Sequence, residues 1–170
     1  MKKSMMFMIS LLLILCILTP SMEVQAAQKY KTAQTVWDYL DEQGYNDYVK
    51  AGIIGNMMAE CGGQTLALNA GCKSSAHYGL CQWSRKYCPN MYGASLKSQL
   101  KYLNKTMPDA FKYYGKRYKG GFNFKKFKNL KDEKQAARAF SLCYERPASK
   151  NTKKREANAT KALKYFRSKK

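Results

Sequence analysis

A carboxylate closes the run Ala51-Gly-Ile-Ile-Gly-Asn-Met-Met-Ala-Glu60, and its helical phase makes it the first residue to weigh chemically. On a 3.6-residue period Val49, Ile53 and Met57 lie within about a sixth of a turn of Glu60, so the acid shares their apolar stripe. A charge on a burying stripe is costly unless it is paired or neutralised. The last turn of a helix adds the negative end of the dipole. Both influences work against the ionised form, as a general acid near neutral pH requires. The competing reading is a rim glutamate that reaches water past the helix end.

Sulfur chemistry crowds the same stretch. Cys61, Cys72, Cys81 and Cys88 follow Glu60 closely and could form two local bridges in any of three connectivities, stapling the loop beyond the acid. Zinc is the rival reading, but no CxxC pair occurs, so no metal is expected. Cys143 reads as the odd one out, a buried thiol on a helix. His77, the only histidine, could act as a base for Cys61 in a cysteine peptidase. The three neighbouring cysteines that could tie up Cys61 weigh against that pairing.

The elements that must position these groups are mostly helical. Thr35 to Gln43 carries Val36, Tyr39 and Leu40, with Gly44 as its stop. Asn46 suits the cap of the helix that ends at Glu60, and Gly62-Gly63 breaks it. From Gln64 to Tyr92 the chain is irregular, with loops or a small β-hairpin around His77-Tyr-Gly-Leu-Cys-Gln-Trp83. Ser95 to Met107 resumes helical spacing through Leu96, Leu100 and Leu103, and Pro108 suits the first turn of a further helix to about Tyr118. Phe122 to Leu130 interleaves aromatics with lysines, either as a loop packing its phenylalanines or as a basic amphipathic stretch for anionic surfaces. Asp132 and Gln135 have capping-box spacing for a helix through Ala136, Ala139, Phe140 and Cys143, which Pro147 ends. A last basic helix, about Lys153 to Arg167, shows Ala159, Leu163 and Phe166 as its apolar face.

Composition sets the compartment and the partner. Lys2 and Lys3 precede an apolar run from Met5 to Leu18, and the segment ending at Ala26 has a small-residue cleavage pattern. That run is too short to span a bilayer comfortably, so residues 1–26 read as a signal peptide and the product as secreted or wall-associated. The mature chain, residues 27–170, is then one domain of ordinary size, expected to be a monomer. Removing Lys2, Lys3 and Glu23 with the leader leaves 29 basic and 10 acidic residues, a net charge of +19. Such an excess implies an anionic partner. For an exported chain that means an anionic wall polymer or membrane surface rather than nucleic acid.

Three clusters now stand in order: Gly52-Ile-Ile-Gly-Asn-Met-Met-Ala-Glu60, Tyr78-Gly-Leu-Cys-Gln-Trp83 and Tyr144-Glu-Arg-Pro-Ala148. Together they resemble the phage tail lysozyme family of peptidoglycan-cleaving enzymes, over about residues 35–166. The resemblance implies a mainly α, lysozyme-like domain with a small irregular or hairpin segment in a glycan-binding cleft. It implies Glu60 as the catalytic acid, with Gln82 and Tyr78 near the sugar. Trp83 has two readings, an indole stacked on a sugar and a core residue bonding through its one N–H, and the core reading is favoured. The third cluster looks structural, a helix stop packed behind the site. Cys61 departs from the serine that family members often carry after the acid, and a thiol is a feeble donor.

The substrate implied is the β-1,4 link between N-acetylmuramic acid and N-acetylglucosamine, which breaks through an oxocarbenium-like state. Of the few possible second carboxylates, Asp109 and Glu145 are available, while Asp38, Asp41, Glu42 and Asp47 look like solvated helix faces. Substrate assistance by the 2-acetamido group or the muramyl 6-hydroxyl removes the need for one, leaving muramidase and lytic transglycosylase both open, with no cofactor. A non-catalytic cationic wall- or membrane-binding protein is the alternative from a different class.

Overall fold

The computed structural model describes residues 28–117 and 121–169. Residues 32–170 form one compact unit, which holds the helical body. The expected leader, residues 1–26, lies outside the described residues. Among these, six α-helices and one two-stranded antiparallel hairpin make a mainly helical architecture, as the sequence indicates.

Helix α1, Lys31–Glu42, buries Val36, Trp37 and Leu40 and stops at Gly44, whose φ of +72° lies in the left-handed region that glycine occupies at no steric cost. Asn46 then caps α2, Asp47–Cys61, accepting from the N–H groups of Tyr48 and Val49 at 3.0 and 3.2 Å. The Asn46 amide also donates to the carbonyls of Lys128 and Leu130, tying the start of α2 to a distant segment.

Every residue of α2 from Val49 to Met58 is buried, so it runs through the centre of the domain. Lys50 is among them. Its ammonium pairs with Asp41 and Asp47 and sits 4.3 Å from the centroid of the Trp37 ring. Asp41 and Asp47, expected on solvated faces, thus neutralise a buried cation.

Two glycines let other helices close on α2. A Cβ at Gly52 would lie 2.6 Å from Ala136 Cβ on α5, Glu133–Phe140, and one at Gly55 would lie 2.5 Å from Ala159 N on α6, Lys153–Arg167. The seams are polar as well as close. Asn56 donates to the carbonyls of Gly52 and Ala137, at 2.8 and 2.9 Å, and Asn158 donates to Gly55 O and Gln64 Oε1. Asp132 caps α5 by accepting from Gln135 N–H at 2.7 Å, the position its spacing predicts.

Residues 77–84 form the hairpin, β1 His77–Tyr78 paired with β2 Trp83–Ser84 in the register His77 to Ser84 and Tyr78 to Trp83. Helix α3, Leu96–Tyr114, departs from expectation by running straight through Pro108. A proline inside a helix forfeits one backbone bond. Here Leu100, Leu103, Met107 and Phe111 form one continuous buried stripe across it, and burying that stripe outweighs the lost bond. The Phe122 to Leu130 stretch folds as a loop leading into a short helix, α4, Phe124–Lys128. Phe127 is buried and stacks on Phe111 with ring centroids 4.4 Å apart, while Lys125 and Lys126 stay in solvent.

Gly55→Ala is expected to destabilise the domain by about 1–3 kcal/mol through overpacking at the α2–α6 seam. Urea denaturation checks it, and a change under a few tenths of a kcal/mol would show that the seam relaxes freely.

Candidate active site

Glu60 lies in the last turn of α2, with its side chain 22% exposed. It is neither on a purely apolar stripe nor free in water. Its Oε1 accepts from the Arg155 guanidinium, which reaches it from the first turn of α6. The same guanidinium donates through Nε to Glu145 Oε2 at 3.3 Å. One cation therefore stands between two carboxylates from separate parts of the chain.

Glu145 arrives by an irregular route. After α5 the backbone winds through a π-helical segment, Ser141–Glu145, and stops at Arg146, whose φ of +53° and ψ of 52° are left-handed. An i→i+5 turn advances each side chain differently from an α-turn, a form of irregularity common at functional sites. Here it turns Glu145 inward, and its side chain is 3% exposed. The Glu145 carboxyl is pushed well above its ordinary range, first by burial and then by the Glu60 charge, with Arg155 opposing both. Its Oε1 is buried without a hydrogen-bond partner. The desolvated acid that helical phase suggested at Glu60 is thus found most fully at Glu145, which the sequence offered only as an available carboxylate at a helix stop.

Beside Glu145 opens a cavity of about 260 Å³, lined also by His77, Gln82, Trp83, Tyr87 and Tyr102. Gln82, expected near the sugar, and Trp83, weighed between sugar stacking and the core, both line it, whereas Glu60 is not among its lining residues. Gln82 has a φ of +45°, and its amide donates to the carbonyls of Gly79 and Cys72, at 2.9 and 3.2 Å, shaping the hairpin loop. Trp83 is 8% exposed and donates through Nε1 to Tyr144 Oη at 3.2 Å. Tyr144 in turn exchanges a hydrogen bond with Thr106 at 2.8 Å. Tyr78 packs against Tyr92, ring centroids 5.4 Å apart, and is not among the residues lining the cavity. Asp109 is exposed on α3.

Gln99, which no motif or spacing singles out, holds the hairpin in place. Fully buried on α3, it accepts from Leu80 N–H at 2.9 Å and donates to the carbonyls of Ala70 and Ala94, each at 2.8 Å. Gly79, at φ +80°, lets it approach, since a Cβ there would lie 2.4 Å from Gln99 Oε1. Arg155 was equally unannounced, being one basic residue among many, 95 positions from its partner.

Among the described residues the five cysteines are free thiols, so no bridge links Cys61, Cys72, Cys81 and Cys88. Three of these sulfurs, those of Cys61, Cys72 and Cys88, have hydrogen-bond partners. Cys61 donates to the carbonyls of Met57 and Leu80, at 3.3 and 3.7 Å, and Cys88 accepts from Tyr102 Oη at 3.3 Å. Burial pushes the Cys61 thiol up to about 12, away from the thiolate that a Cys–His peptidase needs. Among the described residues no group of three or more His, Cys, Asp or Glu is placed to hold a metal ion.

A family model described as phage tail lysozyme matches residues 31–166, most of the chain. The chain belongs to the phage tail lysozyme family. No curated protein matches it. Membership in the phage tail lysozyme family suggests a lysozyme-like activity with bacterial wall peptidoglycan as substrate. The match spans α1 to α6 almost entirely, and so includes Glu60, the hairpin, Glu145 and Arg155.

Because Glu145 titrates above its ordinary value, the folded protein holds a proton that the unfolded chain has already released. Stability tied to this group is present below about pH 4.5, its ordinary value, and is lost as pH rises through the raised one. Glu145→Gln cannot titrate and escapes the loss. Its unfolding free energy should therefore gain steadily on wild type as pH rises above that point, measured by urea denaturation at a series of pH values. Parallel curves would mean that Glu145 is ionised in the fold.

Proposed function

We propose that this chain is a secreted enzyme that cleaves the β-1,4 bond between N-acetylmuramic acid and N-acetylglucosamine, with Glu60 as its general acid. The observation that carries this reading is the place of Glu60: at the end of a buried helix, partly open to solvent, and held by a guanidinium that a second helix aims at it. A side chain fixed by such an ion pair presents its carboxyl in one orientation, which proton delivery to a bridging oxygen requires. The family match supports the substrate class.

The cleft would run past the hairpin. Gln82 and Trp83 form its wall more by shape than by free donors, because the Gln82 amide and the Trp83 N–H are already engaged. Tyr87, 77% exposed on the rim of the cavity, is the aromatic placed to stack on a sugar. No step requires a metal or an organic cofactor. Attack at the anomeric carbon by the acetamido group or the 6-hydroxyl of the substrate gives hydrolysis or a 1,6-anhydro end. The strong positive charge would hold the exported enzyme against anionic wall polymers, an attraction screened by salt.

The non-catalytic reading rests on that charge and on Cys61 in place of serine. Release of soluble muropeptides from purified sacculi separates the two. Glu60→Gln should lower the rate by about 10²–10⁴-fold, the usual contribution of a positioned proton donor. Equal release by wild type and variant would remove Glu60 from the mechanism, and no release by either would favour a binder. Tyr87→Ala should raise KM several-fold with kcat nearly unchanged, and an unchanged KM would place the glycan elsewhere.

A further inference from the structure

The Tyr-Glu-Arg-Pro segment reads from sequence as a helix stop, yet it delivers a carboxyl to the same Arg155 guanidinium that holds Glu60. We infer that Glu145 is a positioning residue for catalysis: Glu60 and Glu145 share one guanidinium and one proton, and substrate binding moves that proton to Glu60. The inference rests on Glu60 being the general acid.

The geometry sets the charge count. Arg155 contributes one positive charge, and each carboxylate would contribute one negative. Two ionised carboxylates around one buried guanidinium leave an uncompensated charge in a site where the three side chains are 3%, 14% and 22% exposed. A single proton on either carboxyl makes the cluster neutral. In the free protein it resides on Glu145, the more buried of the two, whose Oε1 has no partner, while Glu60 is paired and keeps some solvent. The upward shift of Glu145 agrees with this distribution.

A glycan strand laid over Glu60 removes the water that favours its charge, and the balance reverses. The O–H bond at Glu145 breaks, an O–H bond forms at Glu60, and the guanidinium takes Glu145 as its counter-ion. Charges of −1, +1 and 0 on Glu60, Arg155 and Glu145 become 0, +1 and −1. Nothing is gained from outside, and Glu60 then carries the proton that the leaving oxygen needs. The other titratable groups around Glu145 are Cys61 from α2, Cys81 from the hairpin loop, Tyr144 and Arg146 beside it in the chain, and, across the shared cavity, His77, Tyr87, Cys88 and Tyr102. Burial raises Cys61, Cys81 and Tyr144, which therefore stay neutral at wall-working pH.

The test is the pH dependence of muropeptide release from purified sacculi by wild type, Glu60→Gln and Glu145→Gln. Glu145→Gln keeps the shape of the side chain and an acceptor for Arg155 but has no proton to exchange. Its kcat at pH 7 should fall at least tenfold with KM held within twofold. The loss should shrink as pH is lowered, because protons from bulk solvent then replace the one that Glu145 no longer supplies. A loss of equal size at every pH, or none, would overturn the inference and leave Glu145 a structural helix end. Should Glu145→Gln fail to fold, carbon NMR of the wild-type carboxyl groups decides. An added N-acetylglucosamine oligosaccharide is expected to deprotonate Glu145, and an unchanged signal would overturn the inference. Glu60→Gln as active as wild type would sink the functional reading itself. An inactive Glu60→Gln beside a Glu145→Gln with the wild-type profile would sink this inference alone.

Discussion

The whole arrangement depends on how closely two helices approach a third. Gly52 and Gly55 present bare backbone on α2, and α5 and α6 lie against it at distances no Cβ would permit. Helices normally stand 8–10 Å apart, spaced by their side chains, and small residues shorten that distance. The nearest neighbours of the missing Gly55 Cβ include the carbonyl oxygen of Arg155 at 2.8 Å. The residue that grips Glu60 therefore leaves its helix at the point where the two backbones nearly touch. Asn56 and Asn158 fix the register of these seams by donating across them to main-chain carbonyls, so sliding one helix would break buried hydrogen bonds.

On that frame rests a charge cluster that would be unstable if simply exposed to hydrocarbon. Arg155 is the shared partner, and its planar donor array lets it serve two carboxylates at once, which an ammonium does less well. Burial is graded across the three groups, with Glu145 innermost and Glu60 nearest to water. A graded set of this kind separates the tasks of two like residues by environment alone.

Much of the helical framework was legible in the sequence because local signals and burial agree there. Asn46, Gly44 and Asp132 act at the caps and stops that their types and spacing indicate. The Gly62-Gly63 break placed Glu60 at the end of α2, and the irregular segment after it does carry a hairpin. Pro108 misled because its local preference for a helix start was overridden by a buried stripe that continues past it. The π-helical segment has no periodic signature, so the inward turn of Glu145 was hidden, and Arg155 is one lysine or arginine among 31. Lys50 and Gln99, polar residues in the core, could be recognised only once their distant partners were in place.

The three-point hold of Gln99 has a mechanical consequence. A hairpin of two residue pairs has little rigidity of its own. With one amide group anchoring Ala70, Leu80 and Ala94 to α3, the loop borrows the stiffness of a nineteen-residue helix. Any widening of the groove to admit a polymer must then come from tilting loop and helix together as a block, and the seating of α3, rather than strand pairing, governs how wide a chain can enter.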